Sequence, residues 1–170
     1  MKTLTFAAVA ALLPMTALAH DGMHINDAYA RSTNPQVGAV FLQLENHREV
    51  ECTLQSVSTE AAERAELHTH VDEGGVMKMT PIEGGIPVSA GQTHDLARGG
   101  DHIMLLGLTK PLSQGDSLTL TLDFGDCGTE EAEAVVDNQR QPEAGHGAAG
   151  HGHDHDHGHG AAPEDEHAGH

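Results

Sequence analysis

The stretch ELHTHVDEGGVMKMTP, residues 66–81, sets His68 and His70 on one side of a glycine turn and Met77 and Met79 on the other. Histidine is ordinarily a surface residue and methionine a filler of cores. Here each occurs twice at a spacing of two, mirrored about DEGG. If residues 72–75 are a four-residue hairpin loop, Val71 pairs with Val76, His70 faces Met77 and His68 faces Met79. Cross-strand partners project to the same side and alternate residues share a face, so all four side chains leave one face of one hairpin. A loop of odd length would shift this register. Taken alone, a His-x-His is ordinarily a surface pair, and the methionines beside it a core pair.

A second pair changes the balance. GGDHIMLLGL holds His102 and Met104, again two apart and on one face of an expected strand. Imidazole is a borderline ligand and thioether sulfur a soft one, so two His and two Met favour Cu(I) over Zn(II), Mg(II) or Ca(II). A tetrahedral zinc site more often uses Cys or a carboxylate where these have Met. None of the four ligands is a thiolate, which suits an oxidising compartment where paired thiols become disulfides.

Strands must hold these residues, and the sequence supplies them. GAVFLQLEN alternates after Val40, and CTLQSVST and SLTLTLDF alternate strictly, the latter with Leu118, Leu120, Leu122 and Phe124 on one face. HIMLLGL is a short apolar run, and turn signals fall between the segments: NP at 34, EGG at 83, ARGGD at 97 and SQGD at 113. Short strands with Gly-rich turns predict an all-β sandwich or barrel. STEAAERAEL reads either as a short helix or as a loop leading into a strand. With no Trp, one Tyr and three Phe, the core is aliphatic.

The ends stand apart from this domain. MKTLTFAAVAALLPMTALAH has a Lys near its start, an apolar stretch and ALA before His20, the pattern of a secretory signal cleaved after Ala19. Its apolar stretch is shorter than the roughly 20 residues that span a bilayer, so no stable membrane insertion is expected after cleavage. The signal has no lipobox Cys, and a bacterial periplasm is the expected compartment. Residues 145–170 carry His146, His151, His153, His155, His157, His159, His167 and His170 among Gly, Ala, Asp and Glu, with no Leu, Ile, Val or Phe. Such a segment cannot bury enough apolar surface to offset its ordering entropy and is expected to be a disordered tail. Its imidazoles and carboxylates suit Cu(II), Ni(II) and Zn(II). The expected organisation is a signal at 1–19, a β domain at 20–140 and a tail at 141–170.

After cleavage, HDGMHIND would offer the amine and imidazole of His20, with Met23 and His24 close by, as a further Cu(II) chelate. A frayed polar terminus is the plainer alternative. The formal net charge of -18 argues against nucleic acid or anionic lipid as a partner and for affinity toward cations. Cys52 and Cys127 are not spaced as a metal or thioredoxin motif. In an oxidising compartment they are expected to form one disulfide, the competing reading being free thiols near the copper site. His47 and His94 fall near expected turns and read as solvated surface.

With these residues in view, the sequence resembles the periplasmic copper chaperones called PCu(A)C, whose pattern is H-x10-M-x21-H-x-M. His68 to Met79 fits x10 and His102-Ile103-Met104 fits H-x-M, while the middle spacing is x22, one residue longer. The extra residue is expected within EGGIPVSAGQTHDLARGG, where insertion is cheap. ELHTH, GVMKM.P, GGDHIMLLGL.KPL..GD.L.L.L.F and AYARST also fit, so the likeness runs from about Ala28 to Phe124. It implies a cupredoxin-like Greek-key β-barrel with no catalysis of its own and a Cu(I) site of His68, Met79, His102 and Met104. It implies delivery of copper to cytochrome c oxidase, at its dinuclear copper subunit, or to another copper chaperone. His70 and Met77 match auxiliary positions, and the chain would act as a monomer or a copper-bridged dimer. The Cys pair is a departure from the family motif.

Two other classes compete. A general periplasmic Cu/Zn/Ni buffer or copper-tolerance protein would rely on the tail and would not need the strand-borne His and Met. A copper oxidase or dismutase would need a Cys-ligated or all-His centre or a substrate pocket, and no Ser-His-Asp arrangement, P-loop or dinucleotide fingerprint appears.

Overall fold

The structure, a computed structural model, describes residues 22–141. The expected signal, His20 and the tail histidines from His146 to His170 lie outside the described residues. Period-two alternation builds the strands: β1 (Met23–Asn34), β2 (Val37–Asn46), β3 (Cys52–Leu54), β4 (Ser56–Ser58), β5 (Ala62–Asp72), β6 (Met77–Pro81), β7 (Ile86–Val88), β8 (Thr93–Leu96), β9 (His102–Leu108), β10 (Ser117–Asp123) and β11 (Thr129–Val136). One 3-10 turn, Gly125–Cys127, precedes β11. The main sheet runs β4-β10-β11-β1-β2-β9-β5-β6 with β8 also on β2, and β3 pairs with β7 in a second sheet. The first and last strands lie parallel, Tyr29 opposite Val135. Because β4 leads into β5 through residues 59–61 and packs beside it, the sheet curls round one core. That core is aliphatic as expected, with Leu44, Leu54, Ile103, Leu105, Leu120 and Leu122 all essentially buried. Among the described residues no helix is long and apolar enough to cross a membrane.

Three local readings are settled by the pairing. STEAAERAEL is a loop entering a strand, not a helix: β5 starts at Ala62, which pairs with Leu108 and buries on the core side. CTLQSVST is two strands, not one. Cys52–Leu54 pairs with β7, then Gln55 donates its backbone N–H to Asp123 O at 2.8 Å and Ser56–Ser58 joins β10. The hairpin loop is not residues 72–75: Asp72 belongs to β5 and pairs with Met77, so His70 faces Met79 and His68 faces Pro81. The turn itself decides this. Gly74 and Gly75 take φ +68° and +88°, both positive as a type I′ turn demands, and Glu73 N donates to Val76 O at 3.0 Å. Asp72 Oδ1 accepts the Gly75 N–H at 2.7 Å and holds the loop. The slip moves each partner by two positions, so the shared face of His68, His70, Met77 and Met79 survives.

Cys52 and Cys127 form a disulfide, with Cα atoms 5.8 Å apart, that ties β3 to the 3-10 turn. Next to it, Gly85 turns at φ +88° where a Cβ would lie 2.5 Å from Leu54 O, so only glycine fits there. The chain leaves β11 along β1. Arg31 and the Ser32 backbone hold Asn138, Arg140 binds the Asp27 carboxylate, and the Arg140 guanidinium lies 4.1 Å from the centre of the Tyr29 ring.

The disulfide closes a loop of 75 residues. On the chain-entropy model that stabilises the domain by about 4 kcal/mol. The double variant Cys52→Ser, Cys127→Ser should lose stability of that order in a guanidinium unfolding curve, and thiol labelling of the native protein should find no reactive sulfur.

Candidate metal centre

β5 sits between β9 and β6 and aligns the chemistry in rungs. Glu66 lies opposite Met104, His68 opposite His102, and His70 opposite Met79. All these side chains leave the face opposite to Leu67 and Ile103, which point into the core. Met79 and Met104 are each one strand across and one rung along from His68, a diagonal of about 7 Å that long side chains bridge. Met77 lies one rung further out, opposite Asp72, and is 57% exposed against 45% for Met79.

His102 faces away from the core and is nevertheless only 2% exposed. Other rings cover it: Phe41 from β2 at 6.0 Å between centroids, His68 at 6.1 Å and His70 at 5.1 Å. The ARGGD turn reaches over from the other side, where Gly100 O accepts from His102 Nδ1 at 3.0 Å and lies 3.3 Å from His70 Nδ1. His68 Nε2 is 3.0 Å from Glu66 Oε2, and Arg64 Nη1 donates to the other Glu66 oxygen at 2.6 Å. What remains is unusual. His68 Nδ1 and His102 Nε2 are both buried and have no hydrogen-bond partner among the described residues. A buried polar atom without a partner costs free energy unless something binds it.

Charge follows the same geometry. The hydrogen bond from His68 holds the Glu66 carboxyl below its usual value. Burial pushes the His102 imidazole below its usual value, Gly100 O partly opposing and the neighbouring His70 and His68 adding to the shift. A lowered value favours the neutral imidazole, the form in which histidine binds a metal. Among the described residues no set of three or more His, Cys, Asp and Glu is arranged to hold a metal ion.

The sequence reading puts His68, His70, Met77 and Met79 on one face of a hairpin and His102 with Met104 on one face of another strand, and all six lie on the same side of the sheet. It missed Glu66, Phe41 and Gly100. Glu66 was within reach, since it stands two residues before His68 and shares its face. His24 lies elsewhere, on β1 opposite Glu45, its ring 4.4 Å from that of His47. Met23 is a core residue at 2% exposure, so the terminus is not frayed from that point on. His47 is exposed and near Glu45, whereas His94 is inside β8 and 2.9 Å from Asp101.

Fold and face together define a cupredoxin-like β domain carrying a His/Met cluster. Residues 23–136 match the family described as "Putative lipoprotein LpqE-like", and the chain belongs to it. A "Putative lipoprotein Lxx21020" of Leifsonia xyli subsp. xyli is 32% identical over 116 residues, 68% of this chain and 70% of that one. Among solved structures, the copper-bound PCuAC domain from PmoF2 is similar at a TM-score of 0.57 and 18% identity, covering 72% of this chain and 98% of that one. Apo-DR1885 from Deinococcus radiodurans is similar at 0.54 and 26%, covering 84% and 97%, and CuI-DR1885 at 0.53 and 26%, covering 72% and 84%. Both cysteines of these 170 residues are used by the disulfide, so neither is free to carry a lipid.

The His102 shift has a sign. An imidazole near 6.5 in the unfolded chain takes up its proton before the buried one does. Stability is therefore full above about pH 6.5 and falls as the pH drops toward the lower folded value. Urea midpoints of the metal-free protein should drop between pH 7.5 and pH 5.5, and the drop should be smaller in His102→Gln.

Proposed function

We propose that the protein is a periplasmic copper metallochaperone that holds Cu(I) through His68, Met79, His102 and Met104, without catalysing a reaction. The observation that carries this reading is the pair of buried, partnerless imidazole nitrogens on adjacent strands, flanked by two thioethers on the same face. Two borderline and two soft donors favour Cu(I). The likeness to CuI-DR1885 supports the same ion. His70 and Met77 serve as auxiliary donors on the outward side of the site, where they can take part in hand-over.

The acceptor is the copper-site subunit of cytochrome c oxidase or another copper chaperone. An export signal at 1–19 takes the chain to the periplasm, and the lipoprotein naming of its relatives is in keeping with export. The tail at 141–170 gathers Cu(II) on its histidines and the domain at 20–140 carries Cu(I), a reductant acting between the two.

Two experiments test this. The double variant Met79→Ala, Met104→Ala should weaken Cu(I) far more than Zn(II) in competition titrations with chelators, and equal Cu(I) affinity before and after would end the assignment. Deleting residues 145–170 should remove the Cu(II) capacity at neutral pH and leave one Cu(I) site. If the truncated protein keeps its full Cu(II) stoichiometry, the tail is not the collector.

A further inference from the structure

We propose that Glu66 is a positioning residue of this site, setting the tautomer of His68 so that Nδ1 faces the ion, while Gly100 O sets the opposite choice at His102, which presents Nε2. The inference rests on the reading of His68 and His102 as ligands and adds which nitrogen each uses and what enforces it.

The argument starts from acceptors. A carboxylate and a peptide carbonyl accept hydrogen bonds and cannot donate. His68 Nε2 lies 3.0 Å from Glu66 Oε2, so the imidazole proton sits on Nε2 and the lone pair on Nδ1. His102 Nδ1 lies 3.0 Å from Gly100 O, so its proton sits on Nδ1 and the lone pair on Nε2. The two nitrogens left with lone pairs are the two that are buried without a partner. Two independent anchors thus leave bare atoms on facing residues of one rung, His68 opposite His102. A metal ligand held by a carboxylate or carbonyl through its other nitrogen has its tautomer and ring orientation fixed.

Glu66 is itself held. Arg64 Nη1 donates to Oε1 at 2.6 Å and leaves Oε2 for His68. Arg64, Glu66 and His68 alternate along β5 and share its outer face, so one strand carries the cation, the carboxylate and the imidazole in order. The Arg64 guanidinium cannot be deprotonated and keeps Glu66 an acceptor.

The test uses the full chain labelled with 15N, with imidazole signals assigned through His68→Gln and His102→Gln. Ag(I), a d10 ion of the same charge as Cu(I), serves as probe because it couples to a bonded nitrogen. The metal-free protein should show His68 as the Nε2–H tautomer and His102 as the Nδ1–H tautomer. With one equivalent of Ag(I), coupling should appear at His68 Nδ1 and His102 Nε2. Glu66→Ala should lose the single His68 tautomer and weaken Cu(I) about 10- to 100-fold. Glu66→Gln, whose amide oxygen still accepts, should restore most of both, a rescue that a merely structural loss would not give. Coupling at His68 Nε2, or equal Cu(I) affinity in Glu66→Ala and the unaltered chain, overturns the proposal and leaves the site reading standing. Absence of coupling at both His68 nitrogens removes His68 from the ligand set, and the proposal then falls with the reading beneath it.

Discussion

The pairing of β5 with β9 is the constraint from which the rest follows. Leu67 and Ile103 sit opposite one another and are buried in the core. Burying such side chains stabilises by about 1.5 to 3 kcal/mol each. A one-residue slip of either strand would turn its apolar residue to solvent and swing its imidazole inward. The apolar face therefore fixes the phase of the register, and the polar face inherits it. His68 and His102 share the outer face because Leu67 and Ile103 hold the inner one. No polar interaction on the outer face has to specify the site, which leaves that face free to carry chemistry.

Much of this was legible in the residues. Alternation in SLTLTLDF and the apolar run HIMLLGL became β10 and β9, and the shared face within each His and Met pair follows from a period of two. The exact cross-strand partners were not legible, because a four-residue loop was read where two adjacent glycines make the turn and draw Asp72 into the strand. The burial of His102 could not be read from its neighbours, since the covering ring, Phe41, comes from β2, some sixty residues earlier. The strict alternation expected across CTLQSVST breaks at Gln55, since the buried positions pass from Cys52 and Leu54 to Val57, and there the pairing partner changes from β7 to β10.

Two of the candidate donors differ in exposure as well as in softness. The imidazole of His102 is enclosed and anchored, whereas the Met79 side chain lies on β6, an edge strand exposed along its length. On the copper reading, His102 is preorganised and Met79 is adaptable, as unbranched thioethers are. A cargo site gains from that division. Rigid donors set which ion is taken, and exchangeable ones let a second protein replace them one at a time. The edge is guarded as it stays open, with Lys78 in its middle and Pro81 at its end.

The clamp on Arg140 fixes the point from which the rest of the chain departs. Its guanidinium covers Tyr29, Tyr29 lies 5.2 Å from Phe41, and Phe41 lies 6.0 Å from His102, so aromatic rings link the departure point to the candidate centre. The same guanidinium thus holds the Asp27 carboxylate and covers the outermost ring, so one ion pair also closes the far end of the row of rings behind His102.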